Sequence, residues 1–205
     1  MHPIWNITAH GTTFGEPTEA PKELYWLDPK GHQNFWCSVA GGTSGSSSSP
    51  RTELREVTAE GKGLNWLAKD RGHVMLGELR LELIPSSLKV IVGQIHAHGA
   101  KNPFLMVSWW KGEARIDFRP KVDGPTQTLA RIPCKVGQSF KYLLSVNEGR
   151  LSVNLNGIIG TADISEEWEQ FPFYFKAGAY VIDHEGPVTE GGWVVYEKLD
   201  VLHDE

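Results

Sequence analysis

The chain has 205 residues, a length that points to one domain, at most two, and can bury about 70% of its unfolded surface without disulfide staples. A composition of 40% hydrophobic and 22% charged residues excludes disorder, and no apolar run nears the roughly 18 residues of a membrane span, so no membrane partner is expected. Twenty Lys and Arg against 25 Asp and Glu leave a net charge of −5, which argues against a nucleic-acid partner and confines any grip on a polyanion to local basic clusters. With 22 glycines, 12 prolines and eight tryptophans, the composition suits a turn-rich β protein able to bind sugar rings. Cys37 and Cys134 make neither a framework nor a zinc site; they form one pair or are two small buried apolar groups. Met1 to Asn6 carry no basic region followed by an apolar stretch, so no secretory signal is read there, and Asn6-Ile7-Thr8 fits the short glycosylation pattern.

The first thirty or so residues are punctuated by Pro3, Gly11, Gly15, Pro17, Pro21, Pro29 and Gly31 and show no sustained helical period. His32 to Ala40 reads as a strand. Gly41 to Pro50 is a Gly- and Ser-rich stretch with too little apolar chain before it to be an interdomain linker, so a flexible loop beside a site, acting as a lid, is the better reading. Extended runs follow at Arg51–Thr58, His73–Ile84, Leu88–Ala97, Phe104–Trp110, Ala114–Arg119, Thr126–Ile132, Phe140–Val146, Leu151–Leu155, Ile158–Ala162, Phe173–Val181 and Trp193–Leu202. Leu79, Leu81 and Leu83 alternate with Glu78, Arg80 and Glu82, and Asn156-Gly157 joins two runs as a hairpin turn does. A short helix is predicted over Ser165–Phe171, with Asp163 and Glu166 at capping-box spacing. About eleven strands and almost no helix specify an all-β fold, an antiparallel β-sandwich of jelly-roll type.

Three of these strands carry polar residues at every second position while apolar ones point the other way. Arg51, Glu53 and Arg55 share a face; so do Gln94, His96 and His98; so do Tyr174, Lys176 and Tyr180. Between the last two, Gly178 leaves a gap in which a ligand could lie close. Each strand alone reads as a solvated face with cross-strand ion pairs, or as packing. His96 and His98 lack a convincing third ligand, so neither a metal nor any other cofactor is expected. Together the three faces offer cations and an amide that neutralise a carboxylate, and an imidazole and phenols that move protons. A uronate polymer needs that set. Its weakly acidic C5 proton becomes removable once the adjacent carboxylate is neutralised, each positioned donor supplying roughly 3–4 kcal/mol in a dry site. A nearby Arg or Lys lowers a phenol's pKa from about 10, and a histidine near 6.5 is a ready base. The chemistry is β-elimination.

At these residues the sequence resembles the alginate lyases of polysaccharide lyase family seven. That family carries an Arg-(Ser/Thr)-Glu-Leu-Arg strand, a Gln-(Ile/Val)-His strand and Tyr-Phe-Lys-Ala-Gly-x-Tyr near the C-terminus. This chain has Arg51-Thr52-Glu53-Leu54-Arg55, Gln94-Ile95-His96 and Tyr174-Phe175-Lys176-Ala177-Gly178-Ala179-Tyr180 in that order, within a likeness spanning about residues 32–203. The resemblance implies one catalytic jelly-roll domain over residues 1–205 with a concave substrate groove, a polysaccharide lyase acting on alginate, and secretion. It implies that Arg51, Gln94 and His96 neutralise the carboxylate, and that Tyr180 protonates the leaving oxygen. Tyr180 would also be the base for mannuronate, and His96 the base for guluronate. Arg55 and Lys176 would hold neighbouring carboxylates and Glu53 would orient the arginines, with Tyr174 and His98 beside the substrate. Ser49 stands where many relatives have Tyr, and Ile182, followed by Asp183 and His184, stands where relatives often have Gln, departures that bear on subsites. Two other classes compete: a glycoside hydrolase, for which Glu78 and Glu82 are poor candidates on a solvated face, and a non-catalytic sugar-binding module, which has no reason to keep His96 with Tyr180. A lyase for another polyuronate, such as glucuronan, keeps the mechanism. A monomer is expected.

Overall fold

A computed structural model of the chain describes residues 4–43 and 47–204. Fifteen strands follow in order: β1 (Ile4–Ala9), β2 (Thr12–Phe14), β3 (Tyr25–Leu27), β4 (Gln33–Ser38), β5 (Arg51–Val57), β6 (His73–Leu83), β7 (Lys89–Ala97) and β8 (Leu105–Trp110). Then come β9 (Glu113–Phe118), β10 (Gln127–Pro133), β11 (Phe140–Asn147), β12 (Arg150–Leu155), β13 (Ile158–Asp163), helix α1 (Glu166–Glu169), β14 (Phe173–Val181) and β15 (Gly191–His203). They form an eight-stranded sheet in the order β10-β9-β8-β7-β14-β5-β1-β2 and a seven-stranded sheet in the order β13-β12-β11-β6-β15-β4-β3, all pairs antiparallel. Neighbours such as β5 and β14 or β6 and β15 are far apart in sequence, as a jelly-roll sandwich requires.

Every extended run anticipated from His32 onward is a strand, within a few residues at its ends. The strands β1, β2 and β3 fall in the punctuated N-terminal stretch where no element was anticipated. They are short, and only Ile7 and Ala9 of β1 are buried, so their periodicity is too brief to read locally; β1 forms by lying against β5, Ile4 facing Val57 and Ala9 facing Thr52. The expected capping box is not formed. The N-cap of α1 is Ser165, whose hydroxyl donates to Pro120 O, while Asp163 pairs with Arg150. Cys37 and Cys134 are free and buried, the apolar alternative of the two readings.

The core lies between the sheets, filled by inward residues such as Leu79, Leu151, Val153, Leu155, Phe175 and Tyr196. Two irregularities in it aim the outer face. The β7–β8 register shifts between Ile91 and Gly93, and the β14–β7 register shifts between Ala177 and Tyr180. The buried hydroxyl of Tyr196 donates to Val92 O, satisfying the carbonyl freed at the first shift, and it meets the hydroxyl of Tyr142 at 2.9 Å. Gly93 is glycine because a Cβ there would sit 2.8 Å from that Tyr142 hydroxyl.

Candidate active site

Strand β14 lies between β5 and β7 and brings the three polar faces together on the outer side of the eight-stranded sheet. Its register sets Lys176 opposite Arg55 on one side and Gln94 on the other, Tyr174 opposite His96, and Tyr180 opposite Arg51 and Ile91. Gly178 faces Glu53 with φ +147, and a Cβ there would come within 2.4 Å of Thr52 O. Its missing side chain therefore admits the neighbouring strand; the gap anticipated for a ligand is filled by the β5 backbone.

Glu53 is the hub, and it is 1% exposed. Its carboxylate accepts from the Lys176 ammonium and from the Gln94 amide, and Arg51 Nη1 stands 3.6 Å away. Burial alone would raise the carboxyl's pKa, but the charges of Lys176 and Arg51, with the hydrogen bonds from Lys176 and Gln94, hold it below the usual range. Lys176 is also buried, and burial lowers its pKa against the pull of Glu53. Glu53 thus holds three groups at once, Lys176, Gln94 and Arg51. Gln94 keeps one amide N–H for a ligand, and Arg51 Nε has no hydrogen-bond partner among the described residues.

Around this hub the rings stack. His96 and Tyr174 lie 5.4 Å apart between centroids at 20°, and the Arg55 guanidinium sits 3.9 Å from the Tyr174 centroid. Arg55 is held from behind, donating to Asn65 Oδ1 at 2.9 Å and to Glu56 O. Burial raises the Tyr174 phenol's pKa against the opposing charge of Arg55. The Arg51 guanidinium lies 4.2 Å from the Tyr180 centroid, and the Tyr180 hydroxyl meets Ser47 Oγ at 3.1 Å. Ser47 Oγ itself donates to Ser49 O, so the phenol proton is the one shared along this contact.

His96 has its pKa pushed down to about 4, by burial first and then by the Lys176 charge, and is neutral near pH 7. Its Nδ1 lies 2.8 Å from the Ala97 N–H and 3.1 Å from Ala97 O. Accepting from the first makes Nε2–H a donor to a carboxylate; donating to the second leaves Nε2 a bare base. One ring can therefore fill either role.

On the inner side of β5, Glu56 is fully buried and accepts from the Phe175 N–H at 2.8 Å and from Trp66 Nε1 at 2.8 Å, with His203 Nε2 at 2.8 Å from its second oxygen. This bond pins the β14 backbone between Tyr174 and Lys176.

A cavity of about 450 Å³ opens over these residues, lined by Arg51, Gln94, His96, Tyr174, Lys176 and Tyr180. Ser47 and Ser48 wall one side and His98, Lys101 and Asn102 another. All nine residues anticipated from the sequence thus meet on one face: six line the cavity floor, His98 is at its wall, Glu53 lies beneath and Arg55 flanks Tyr174. Lys176 and Arg55 have internal partners, which the strand pattern did not reveal. Lys101 and Asn102 were not anticipated, because loop residues carry no periodicity, and Ser47 was anticipated only as part of the loop expected beside the site. Of the loop expected over Gly41–Pro50, residues 44–46 lie outside the described residues, whereas Ser47 reaches Tyr180. Among the described residues no cluster of three or more His, Cys, Asp or Glu could hold a metal ion, and no helix is long and apolar enough to cross a membrane.

A jelly-roll sheet whose outer face holds carboxylate-binding donors beside an imidazole and a phenol defines a polysaccharide lyase. The chain belongs to the alginate lyase family, whose model matches residues 13–203. Among solved structures, an alginate lyase from Pseudomonas aeruginosa is 28% identical with a TM-score of 0.89, over 98% of each chain. Alginate lyase A1-II', a member of polysaccharide lyase family 7, is 25% identical with a TM-score of 0.86, over 98% of this chain and 95% of that one. A variant of A1-II' with a histidine and a tyrosine replaced, in complex with substrate, is 25% identical with a TM-score of 0.85, over 98% of this chain and 92% of that one. No curated protein matches the chain.

Proposed function

We propose that the chain cleaves alginate by β-elimination with Tyr180, His96, Gln94 and Arg51 as its catalytic groups. The observation that carries the reading is the convergence of these four around the Glu53–Lys176 pair, on the floor of one cavity. Arg51, the free N–H of Gln94 and Nε2–H of His96 bind the carboxylate of the sugar at the cleaved bond, stabilising the charge that develops when C5 loses its proton. The C5–H pair forms the C4–C5 double bond, the C4–O bond breaks, and Tyr180 delivers its proton to the departing oxygen. On mannuronate Tyr180 enters as the phenolate, takes the C5 proton and hands that same proton to the leaving oxygen; on guluronate, where the C5 proton lies on the opposite side, His96 in its Nδ1–H form takes it and Tyr180 enters as the phenol. Glu53 orients Arg51 and Gln94, and Lys176 acts through Glu53. Arg55 holds Tyr174 against His96, and His98 meets a neighbouring sugar. The A1-II' variant that holds substrate has a histidine and a tyrosine replaced, which fits paired roles for His96 and Tyr180. The whole chain would work as one catalytic domain, as a monomer, outside the cell.

Absorbance of the conjugated unsaturated uronate, followed on polymannuronate, polyguluronate and glucuronan with chelator present, tests this reading. A rise on one of the first two polymers, lost by at least about 10²-fold in Tyr180→Phe, is expected. A rise on glucuronan alone would move the activity to another polyuronate. No rise on any polymer, with binding retained, would favour a sugar-binding module.

A further inference from the structure

The catalytic row of the sheet does not end at the cavity. Read across the strands, Arg51 faces Tyr180, Tyr180 faces Ile91, Ile91 faces Ser108, Ser108 faces Arg115 and Arg115 faces Arg131. All six therefore project from the same outer face, and Ile91 and Ser108 are its buried floor. In the adjoining row Lys89 faces Trp110, and Trp110 faces Glu113. The indole of Trp110 gathers three cations: Arg115 at 4.8 Å from its centroid, Lys89 at 5.0 Å and Lys111 at 5.6 Å. Among the described residues, the carboxylates paired with these rows are Asp117, 3.5 Å from Arg115 and bound by the Thr128 hydroxyl, and Glu113 at the turn, with Asp183 held by Ser87 N–H beyond the end of the row. Lys89, Lys111, Arg115 and Arg131, with Arg119 also close enough to act on Lys89, outnumber these carboxylates and make a local positive excess in a chain of net charge −5. Nothing in the fold requires it. Like charges this close repel, and the indole's negative face offsets only part of that repulsion.

We propose that this edge, built by Lys89, Trp110, Lys111, Arg115 and Arg131, is a distal binding site for carboxylates of the same polyuronate chain, several sugars from the bond that is cleaved. The inference rests on the lyase reading above. With strands about 4.8 Å apart, Arg115 and Arg131 lie roughly three and four spacings from Tyr180, about 14 and 19 Å. A 1,4-linked pyranoside chain advances by about one strand spacing per sugar and presents one carboxylate on each. A polymer crossing the strands from Tyr180 therefore brings its third and fourth carboxylates to these cations. Trp110 acts as the anchor that keeps the cations together, and the cations bind the polymer. The site makes affinity depend on chain length, which favours cutting within long chains over trimming short ones.

Calorimetric titration in a Tyr180→Phe background, which binds without turning over, tests the site. The ligands are a uronate trisaccharide and a chain of about ten uronates, both titrated into the parent and into the Lys89→Gln/Lys111→Gln/Arg131→Gln variant. In the parent the long chain should bind at least about ten-fold tighter than the trisaccharide, and that advantage should weaken with salt. The triple variant should lose most of it. An unchanged ratio would overturn the proposal. Should the triple variant misfold, Arg131→Glu alone, at an exposed edge position, carries the same test, with a reduced long-chain advantage expected. If wild-type enzyme generates no unsaturated uronate and the parent binds neither ligand, the lyase reading itself falls, an outcome distinct from an unchanged ratio in an active enzyme.

Discussion

Replacing Glu53 by Gln preserves shape and removes the charge on which the site is assembled. Glu53 is 1% exposed, and its carboxylate is the partner of Lys176, which is 7% exposed, as well as of Gln94 and Arg51. Removing one member of a buried ion pair costs about 3–5 kcal/mol, since the other charge is left without compensation. For a chain of this size each kcal/mol moves the melting temperature by roughly 2–4 °C, so a fall on the order of 10 °C is expected. Without Glu53 the burial that already lowers the Lys176 pKa would act unopposed by its partner and favour the neutral amine further. The double variant Glu53→Gln/Lys176→Met separates the two consequences. Replacing a whole buried pair by apolar or neutral groups is often close to neutral, so the double variant should regain most of the lost stability. It should not regain activity, because Arg51 and Gln94 still lack the carboxylate that orients them. Urea melts with kinetics on polyuronate measure both. A single-variant loss below about 1 kcal/mol, or a double variant no more stable than the single, would refute the view that the pair is a coupled buried unit.

Two further outcomes are expected. Ser47→Ala removes the partner of the Tyr180 hydroxyl at 3.1 Å, a neutral hydrogen bond of about 1 kcal/mol, so kcat should fall about five-fold with KM little changed; an unaltered kcat would show that the contact does not touch the proton transfer. His73 is 4% exposed, stacks on Trp66 with centroids 4.2 Å apart, and has its pKa lowered to about 4 by burial and by the charge of His203, against the opposing charges of Asp70 and Asp204. Its folded pKa lies below the usual 6.5, so the unfolded chain binds the extra proton between those values. Stability should therefore be full above about pH 6.5 and decline by up to about 3 kcal/mol as the pH falls toward 4. Urea midpoints across that range should decline less steeply in His73→Gln, the remainder coming from His96 with its own lowered pKa, and an equally steep decline in that variant would remove His73 as a source.

The sequence by itself determined the twelve strands from His32 onward, because their period-two patterns are long enough to be read without neighbours, as in Leu151, Val153 and Leu155. It also determined which residues share a face on β5, β7 and β14, because alternation along a strand is a local property. Its reading of Gly178 as a gap for a ligand was wrong, since what fills the space over a glycine is the strand beside it. Strand β1 was illegible for a related reason: its six residues form a strand by capping the edge of β5, a contact no local pattern encodes. Only the tertiary structure decided that β14 lies between β5 and β7, and hence that Lys176 faces Glu53 and that Tyr180 faces Arg51. Strand order is set by which sheets close over a common core, with partners more than a hundred residues apart, and side chains on one strand carry no record of it. The same holds for Ser47 at the Tyr180 hydroxyl and for the cations around Trp110, which meet only once β7, β8 and β9 are in register.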